Sequence, residues 1–216
     1  MKIALIIPRN GSEKEASFYD LKFVSSFLFS RRYFSYLLAI PTLVSLTPPE
    51  HEIRVFDENI EDIDYSWKAT LAGISVRTMF APRAYEIADN FRKMGIKTVL
   101  GGIHPSFCLD EALQHSDSVV VGEAEGIWPE LLKDAQDGRL RRIYQANSYA
   151  NLTSAPAAVR SLMSEKHYFA DIIQTTKGCP YTCEFCSVYA FDGQKIRNKP
   201  IDVVLKEIQE IRDSGA

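Results

Sequence analysis

Lys2-Ile-Ala-Leu-Ile-Ile7 is an almost unbroken apolar run, closed at once by Pro8 and Arg9. A strand with one wet face alternates apolar and polar residues, whereas a strand covered on both faces does not need to. The run therefore predicts an inner strand of a parallel sheet with helices above and below. Working outward, Glu52-Ile-Arg-Val-Phe-Asp57, Leu71-Ala-Gly-Ile-Ser-Val76, Lys97-Thr-Val-Leu100 and Ser118-Val-Val-Val121 read as four more strands. Helical periodicity is found over 33–46 (stopped by Pro48-Pro49), from Pro82 to Met94 (stopped by Gly95) and over about 127–137. Strands and helices alternating at this interval predict an α/β fold, a doubly wound parallel sheet of the flavodoxin/Rossmann-like kind.

Such sheets bind ligands beyond the carboxyl ends of their strands. The segments expected there are Pro8-Arg-Asn-Gly11, Ser75-Val-Arg-Thr78, Gly101-Gly-Ile-His104 and Gly122-Glu-Ala-Glu125. Gly101 and Gly102 leave room for a ligand to approach the backbone, and a tight strand-to-helix turn explains them equally well. Arg77 and Arg83 can meet polar ligand groups, with Arg83 read as solvated. Glu123 and Glu125 suit either ligand hydrogen bonds or a helix N-terminus. His104 is read as a polar loop residue beside the ligand. His51, His115 and His167 are read as surface residues, Trp67 and Trp128 as packing residues, and Cys108 as a small buried hydrophobe. Phe18, Tyr19, Phe23, Phe27, Phe29, Tyr33, Phe34 and Tyr36 form an aromatic stripe expected to pack in a core or domain interface.

The run Gly178-Cys-Pro-Tyr-Thr-Cys-Glu-Phe-Cys186 has the spacing C-x3-C-x2-C. Three thiolates would leave one iron of a [4Fe–4S] cluster without a protein ligand, free to bind and activate a small molecule. Zinc would want a fourth Cys or His at compatible spacing. A disulfide would leave one thiol over and needs an oxidising compartment. Residues 3–7 are apolar but Pro8 and Arg9 end the run at once, so a secretory signal is not expected, and no stretch nears the roughly 20 apolar residues that span a bilayer. A cytoplasmic location is expected. The net charge of −3 leaves no electrostatic footprint for nucleic acid.

The cysteine run resembles the cluster motif of the radical S-adenosylmethionine (SAM) superfamily. The resemblance implies that Cys179, Cys183 and Cys186 hold the cluster and that the open iron chelates SAM. An external donor's electron then cleaves SAM to a 5′-deoxyadenosyl radical, with Phe185 near the adenine. Residues 1–145 resemble the cobalamin-binding domain that precedes many such enzymes, through Gly73-Ile-Ser-Val76, Ala81-Pro-Arg-Ala-Tyr85, Gly101-Gly-Ile-His-Pro105 and Val121-Gly-Glu-Ala-Glu-Gly-Ile-Trp-Pro129. Ser75, Gly101 and Gly102 would border the nucleotide tail of cobalamin, with Arg77, Thr78, His104, Gly122 and Glu123 as further cofactor contacts. The family's D-x-H-x-x-G after the first strand is missing: Pro8-Arg-Asn-Gly-Ser-Glu13 has no His, so cobalt would lack that ligand. The implied activity is methylation of an unreactive carbon on a small-molecule or lipid-like substrate. The alternative is a cobalamin- or small-ligand-binding module with an unused cluster loop.

Three regions are expected: a cobalamin-binding domain over 1–145, a linker over 146–170, and the start of a radical SAM domain over 171–216. The last would comprise a strand from Tyr168 to Thr176, the cysteine loop, and a helix from Pro200 to Asp213. Ile201, Val204, Leu205, Ile208 and Ile211 share one face of that helix. One strand and one helix cannot close a (β/α) barrel. The chain is accordingly expected to be part of a longer enzyme and inactive alone. Its incomplete barrel piece should be partly exposed, docked on the first domain, or covered by homo-oligomerisation.

Overall fold

In the computed structural model, which describes residues 1–9, 36–163, 168 and 170–213, the apolar runs become neighbouring strands. They are β1 (Lys2–Ile7), β2 (Glu52–Asp57), β3 (Leu71–Ser75), β4 (Lys97–Gly101), β5 (Ser118–Val121) and β6 (Ile143–Gln145), in the order β2-β1-β3-β4-β5-β6. All five pairings are parallel. The chain runs outward from β1 to β2, then crosses to β3 on the other side. That reversal is the topological switch point, where a crevice opens above the strand ends.

Both faces of the sheet are covered, which is why β1 needs no polar alternation. Ala4 and Ile6 face a core built with Ala84, Tyr85, Ile87, Ala88 and Phe91 of helix α2 (Ala81–Lys93). Ile3, Leu5 and Ile7 face a second core. There they meet Ile40 and Val44 of α1 (Ala39–Leu46) and Trp128, Leu131 and Leu132 of α5 (Trp128–Gln136). Two short helices, α3 (Ile103–Phe107) and α4 (Leu109–His115), connect β4 to β5. The Trp128 indole N–H donates to Thr47 Oγ1 at 2.8 Å, tying α5 to the end of α1. The packing roles read for Trp67 and Trp128 agree with this: Trp67 lies edge-on to Phe56, and Trp128 is 2% exposed.

Several expectations need correction. β6 escaped notice because it is three residues long and buries only Tyr144. The helix read over 33–46 begins, among described residues, at Ala39. Of the aromatic stripe only Tyr36 is described, and it is buried in the second core. The others, together with Asn10, Gly11 and His167, lie outside the described residues. His51 is buried, with Nδ1 3.2 Å from the Met1 nitrogen. His115 is half-buried, with Nδ1 2.9 Å from Asp89. Arg83 is not solvated. Its guanidinium is 7% exposed and grips Glu58 through Nε and Nη2 and Glu86 through Nη1.

The connector from 146 packs closely against the α/β unit. Leu152, Ala158, Arg160 and Met163 are buried, and Asn151 accepts the Thr153 N–H at 3.0 Å to start a single 3-10 turn. The strand expected from Tyr168 to Thr176 is not formed along its length. Only β7 (Thr176–Lys177) forms a ladder, antiparallel to β8 (Arg197–Asn198), because no parallel neighbour is available among the described residues. The helix α7 (Ile201–Asp213) is present, but it does not bury its apolar face. Ile201, Leu205 and Ile208 are 78%, 59% and 47% exposed, while Glu207 is fully buried. Its carboxylate receives Arg160 Nη2 at 2.8 Å, Lys199 Nζ at 2.6 Å and the Ala158 N–H at 3.2 Å. Ion pairing through Glu207 anchors this helix, with Val203, Val204 and Ile211 half-buried beside it.

Candidate functional site

A cavity of about 530 Å³ opens above the carboxyl ends of β3, β4 and β5. The strand ends supply Ser75, Arg77, Gly101, Gly102, Gly122 and Glu123. Leu37, Leu38 and Leu43 form an apolar wall opposite. The remaining wall comes from the segment around the cysteines: Ile172, Ile173, Gln174, Lys177, Phe191 and Asp192. One wall apolar and another rich in hydrogen-bonding groups suits a bulky ligand with an apolar body and polar edges.

The diglycine has a backbone explanation. Gly102 adopts φ +104°, and a Cβ there would lie 2.9 Å from the Val76 carbonyl oxygen. Only glycine fits that turn. Gly101 is looser: its nearest neighbour is Val120 Cβ at 3.6 Å, so the fold itself does not require glycine there. The turn is pinned by the Val76 N–H to Gly101 O at 2.8 Å and the His104 N–H to Val76 O at 3.2 Å.

Not every expected cofactor contact reaches the cavity. Ser75, Arg77, Gly101, Gly102, Gly122 and Glu123 line it, while Thr78 and His104 do not. Thr78 is exposed at the start of a 3-10 turn. His104 is neither a loop residue nor solvated. It sits on α3, 8% exposed, with Nε2 3.1 Å from the Tyr85 hydroxyl. Phe185 is 94% exposed and does not line the cavity.

Glu123 is committed elsewhere. Its oxygens receive Arg197 Nη1 and Nη2 at 2.7 Å each and the Ala150 N–H at 2.7 Å, with Lys177 Nζ at 3.3 Å. Burial alone would raise its pKa, but the Arg197 hydrogen bonds, helped by Lys177 and the Ala150 amide, hold the carboxyl below the ordinary range. Lys177 is also bonded to Glu125. Burial works against its charge, yet Glu125 and Glu123 together raise its pKa. Asp192, on the cavity wall, is pushed up by burial, against the pull of Lys177. Lys177 and Arg197 were missed as site residues. The signal available was their placement on either side of the cysteine loop, opposite two glutamates at the end of β5.

The loop itself spans the ribbon β7–β8. Cys183 is exposed, Cys179 and Cys186 are half-buried, and all three are free thiols. The Cys179 N–H donates to Gly193 O at 2.9 Å and the Cys186 N–H to Cys183 O at 3.0 Å. Gly178 takes φ +88°, where a Cβ would collide with the Lys195 carbonyl oxygen. The short helix α6 (Val188–Asp192) follows and carries Phe191 and Asp192 to the cavity. Three free, accessible thiols on an anchored loop fit a cluster held by three cysteines.

No family model matches the chain. Over 183 residues it is 39% identical to the bacteriochlorophyllide d C-8(2)-methyltransferase of Chlorobaculum tepidum, covering 81% of this chain and 41% of the relative. It is 33% identical to the bacteriochlorophyllide d C-12(1)-methyltransferase of the same organism, covering 80% and 39%. The chain thus spans about two fifths of the length of these relatives. Among solved structures, the radical S-adenosylmethionine methyltransferase TsrM of Kitasatospora setae superposes with a TM-score of 0.69 at 17% identity, covering 99% of this chain and 46% of that one. A second TsrM structure, with cobalamin and a [4Fe–4S] cluster bound, gives 0.68. No helix among the described residues is long and apolar enough to cross a membrane.

Proposed function

Because the chain belongs to the radical SAM enzymes that carry a cobalamin-binding domain, we propose that it binds cobalamin in the cavity above β3–β5 and a [4Fe–4S] cluster on Cys179, Cys183 and Cys186. Together the two would serve methyl transfer to an unreactive carbon. The observation that carries this reading is the shared cavity. Its floor is the sheet edge, and one wall is formed by Lys177, Phe191 and Asp192, which flank the cysteine loop on both sides. Bound together, the cluster with SAM would supply hydrogen abstraction and cobalamin the methyl group.

The chain's own residues have separable tasks. Ser75 and Arg77 offer hydrogen bonds to the polar edge of the bound cofactor, and Gly101 leaves room for it. Leu37, Leu38 and Leu43 exclude water from one side. Glu123, Glu125, Lys177 and Arg197 fix the cysteine loop at the cavity mouth. The substrate is a small or lipid-like molecule, and the macrocycles named for the two Chlorobaculum tepidum relatives are the first class to assay. Electrons come from an external donor, and the location is the cytoplasm. The domain limits at 145 and 170 are part of the same proposal.

Anaerobic reconstitution with iron and sulfide tests the cluster. It should produce the broad visible charge-transfer absorption of an iron–sulfur centre, absent from a Cys179→Ala/Cys183→Ala/Cys186→Ala variant. Titration with hydroxocobalamin tests the cavity. Saturable binding weakened by bulky substitution of Gly101 is expected, and no saturable binding by folded protein would reject the assignment.

A further inference from the structure

We propose that His104, Cys108 and Glu111 form a binding site for one divalent transition-metal cation of zinc-like preference, outside the cavity described above. The three residues follow at i, i+4 and i+7, which places them on one helical face. Two helices meet at Cys108, yet the hydrogen bonding runs through: the Cys108 N–H donates to His104 O at 2.9 Å and the Ala112 N–H to Cys108 O at 3.0 Å. One ligand atom from each side chain therefore converges, all within 4.8 Å of one another.

The donor set suits the ion. Imidazole nitrogen, thiolate sulfur and carboxylate oxygen are the three zinc ligand types, with bonds of about 2.0–2.3 Å that set tetrahedral donors about 3.4–3.6 Å apart. His104 Nε2 and Glu111 Oε1 are already 3.8 Å apart. The remaining separations, none above 4.8 Å, would shorten by about 1 Å or less on binding. Binding would release the Cys108 thiol proton, and thiolate plus carboxylate would neutralise the cation.

The surroundings also fit. His104 is 8% exposed, whereas the Glu111 side chain is 54% exposed, so the site has a buried wall and a solvent entry. The Tyr85 hydroxyl lies 3.1 Å from His104 Nε2. Tyr85 is held in turn by a stacked His115 ring at 4.3 Å, and His115 by Asp89. Outer contacts of this kind orient metal ligands. A filled site would brace α3 and α4 directly behind the Gly101-Gly102 turn.

Cys108 becomes the only thiol in a tag-free Cys179→Ala/Cys183→Ala/Cys186→Ala chain, since the sequence has four cysteines. Titrating that protein with Co²⁺ should give a saturable, one-equivalent thiolate-to-cobalt charge-transfer band that Zn²⁺ abolishes. Adding Cys108→Ser should remove the band. Adding Glu111→Gln, at an exposed position, should keep it but weaken affinity by about tenfold or more. Zn²⁺ should raise the thermal midpoint of the parent and not of Cys108→Ser, with circular dichroism confirming that both are folded. No saturable band, or a band that survives Cys108→Ser, overturns the site. Neither result bears on the cluster or on cobalamin, because the cluster cysteines are absent from every variant.

Discussion

Arg197 holds Glu123 with both terminal guanidinium nitrogens, each 2.7 Å from a carboxylate oxygen, in a site where the two side chains are 14% and 3% exposed. Bidentate, charge-assisted pairs of this geometry are the stronger kind. The same nitrogens donate to Ala150 O at 2.8 Å and Asp192 O at 2.7 Å. One guanidinium therefore joins the end of β5, the connector and the far end of the cysteine loop.

Replacing Glu123 with Gln leaves Arg197 and Lys177 facing a neutral amide. Removing one partner of a buried pair typically costs about 3–5 kcal/mol. The loss should fall on the ribbon: amide exchange over 176–198 should accelerate, while β1–β5 stay protected. Pairing Glu123→Gln with Arg197→Met should recover part of the loss, read by chemical denaturation.

Acid should release the same contacts. Glu123 and Glu207 both have carboxyls held below their ordinary values, against the opposing effect of burial, by Arg197 and by Lys199 with Arg160 respectively. For a depressed folded pKa, the stabilisation is complete above the unfolded value of about 4.3 and is lost as pH falls through the folded value. Protection over residues 176–213, measured against the intrinsic exchange rate at each pH, should fall steeply only below about pH 4. The Glu123→Gln variant should show less of that acid dependence in the ribbon.

Gly102→Ala should destabilise the protein by about 1–3 kcal/mol through forced backbone strain, because Cβ would meet Val76 O at 2.9 Å in a φ of +104°. Gly126→Ala is the control, since nothing lies within 4 Å of its added Cβ. It should change stability by under about 0.5 kcal/mol. Thermal melts compare the two.

Arg83→Met should cost about 3–5 kcal/mol by stranding the buried Glu58 carboxylate, whose side chain is 7% exposed. Adding Glu58→Leu should restore much of the stability, since an apolar pair of similar volume can replace a buried ion pair. Urea denaturation of the single and double variants gives the coupling.

The α/β architecture was legible because it rests on local pattern. β1, β2 and β5 appear at the residues read from their apolar runs, and β3 and β4 within one residue. Short elements were not legible. β6 buries one side chain, and α3 is a single turn begun by Ile103 and His104, so neither leaves a periodic trace. Charged residues were read least well. Arg83 reads as solvated, Glu123 as a ligand contact or helix N-terminus, and Glu207 leaves no signal, yet each is buried with a partner 25, 74 or 47 positions away.

The sequence by itself determined that this chain forms a parallel α/β sheet and carries a three-cysteine loop of radical SAM type. Apolar runs and cysteine spacing are local properties, and their energetic consequences follow from neighbouring residues alone. Only the tertiary structure decided that Lys177, Phe191 and Asp192, on either side of the cysteine loop, wall the cavity at the strand ends, that Glu123 both lines that cavity and binds Arg197, that His104 lies beside Cys108 and Glu111 rather than in the cavity lining, and that α7 docks through Glu207. Each depends on which charges meet after the chain folds. Burying a charge is unfavourable until its partner arrives, and sequence distance does not say whether it will.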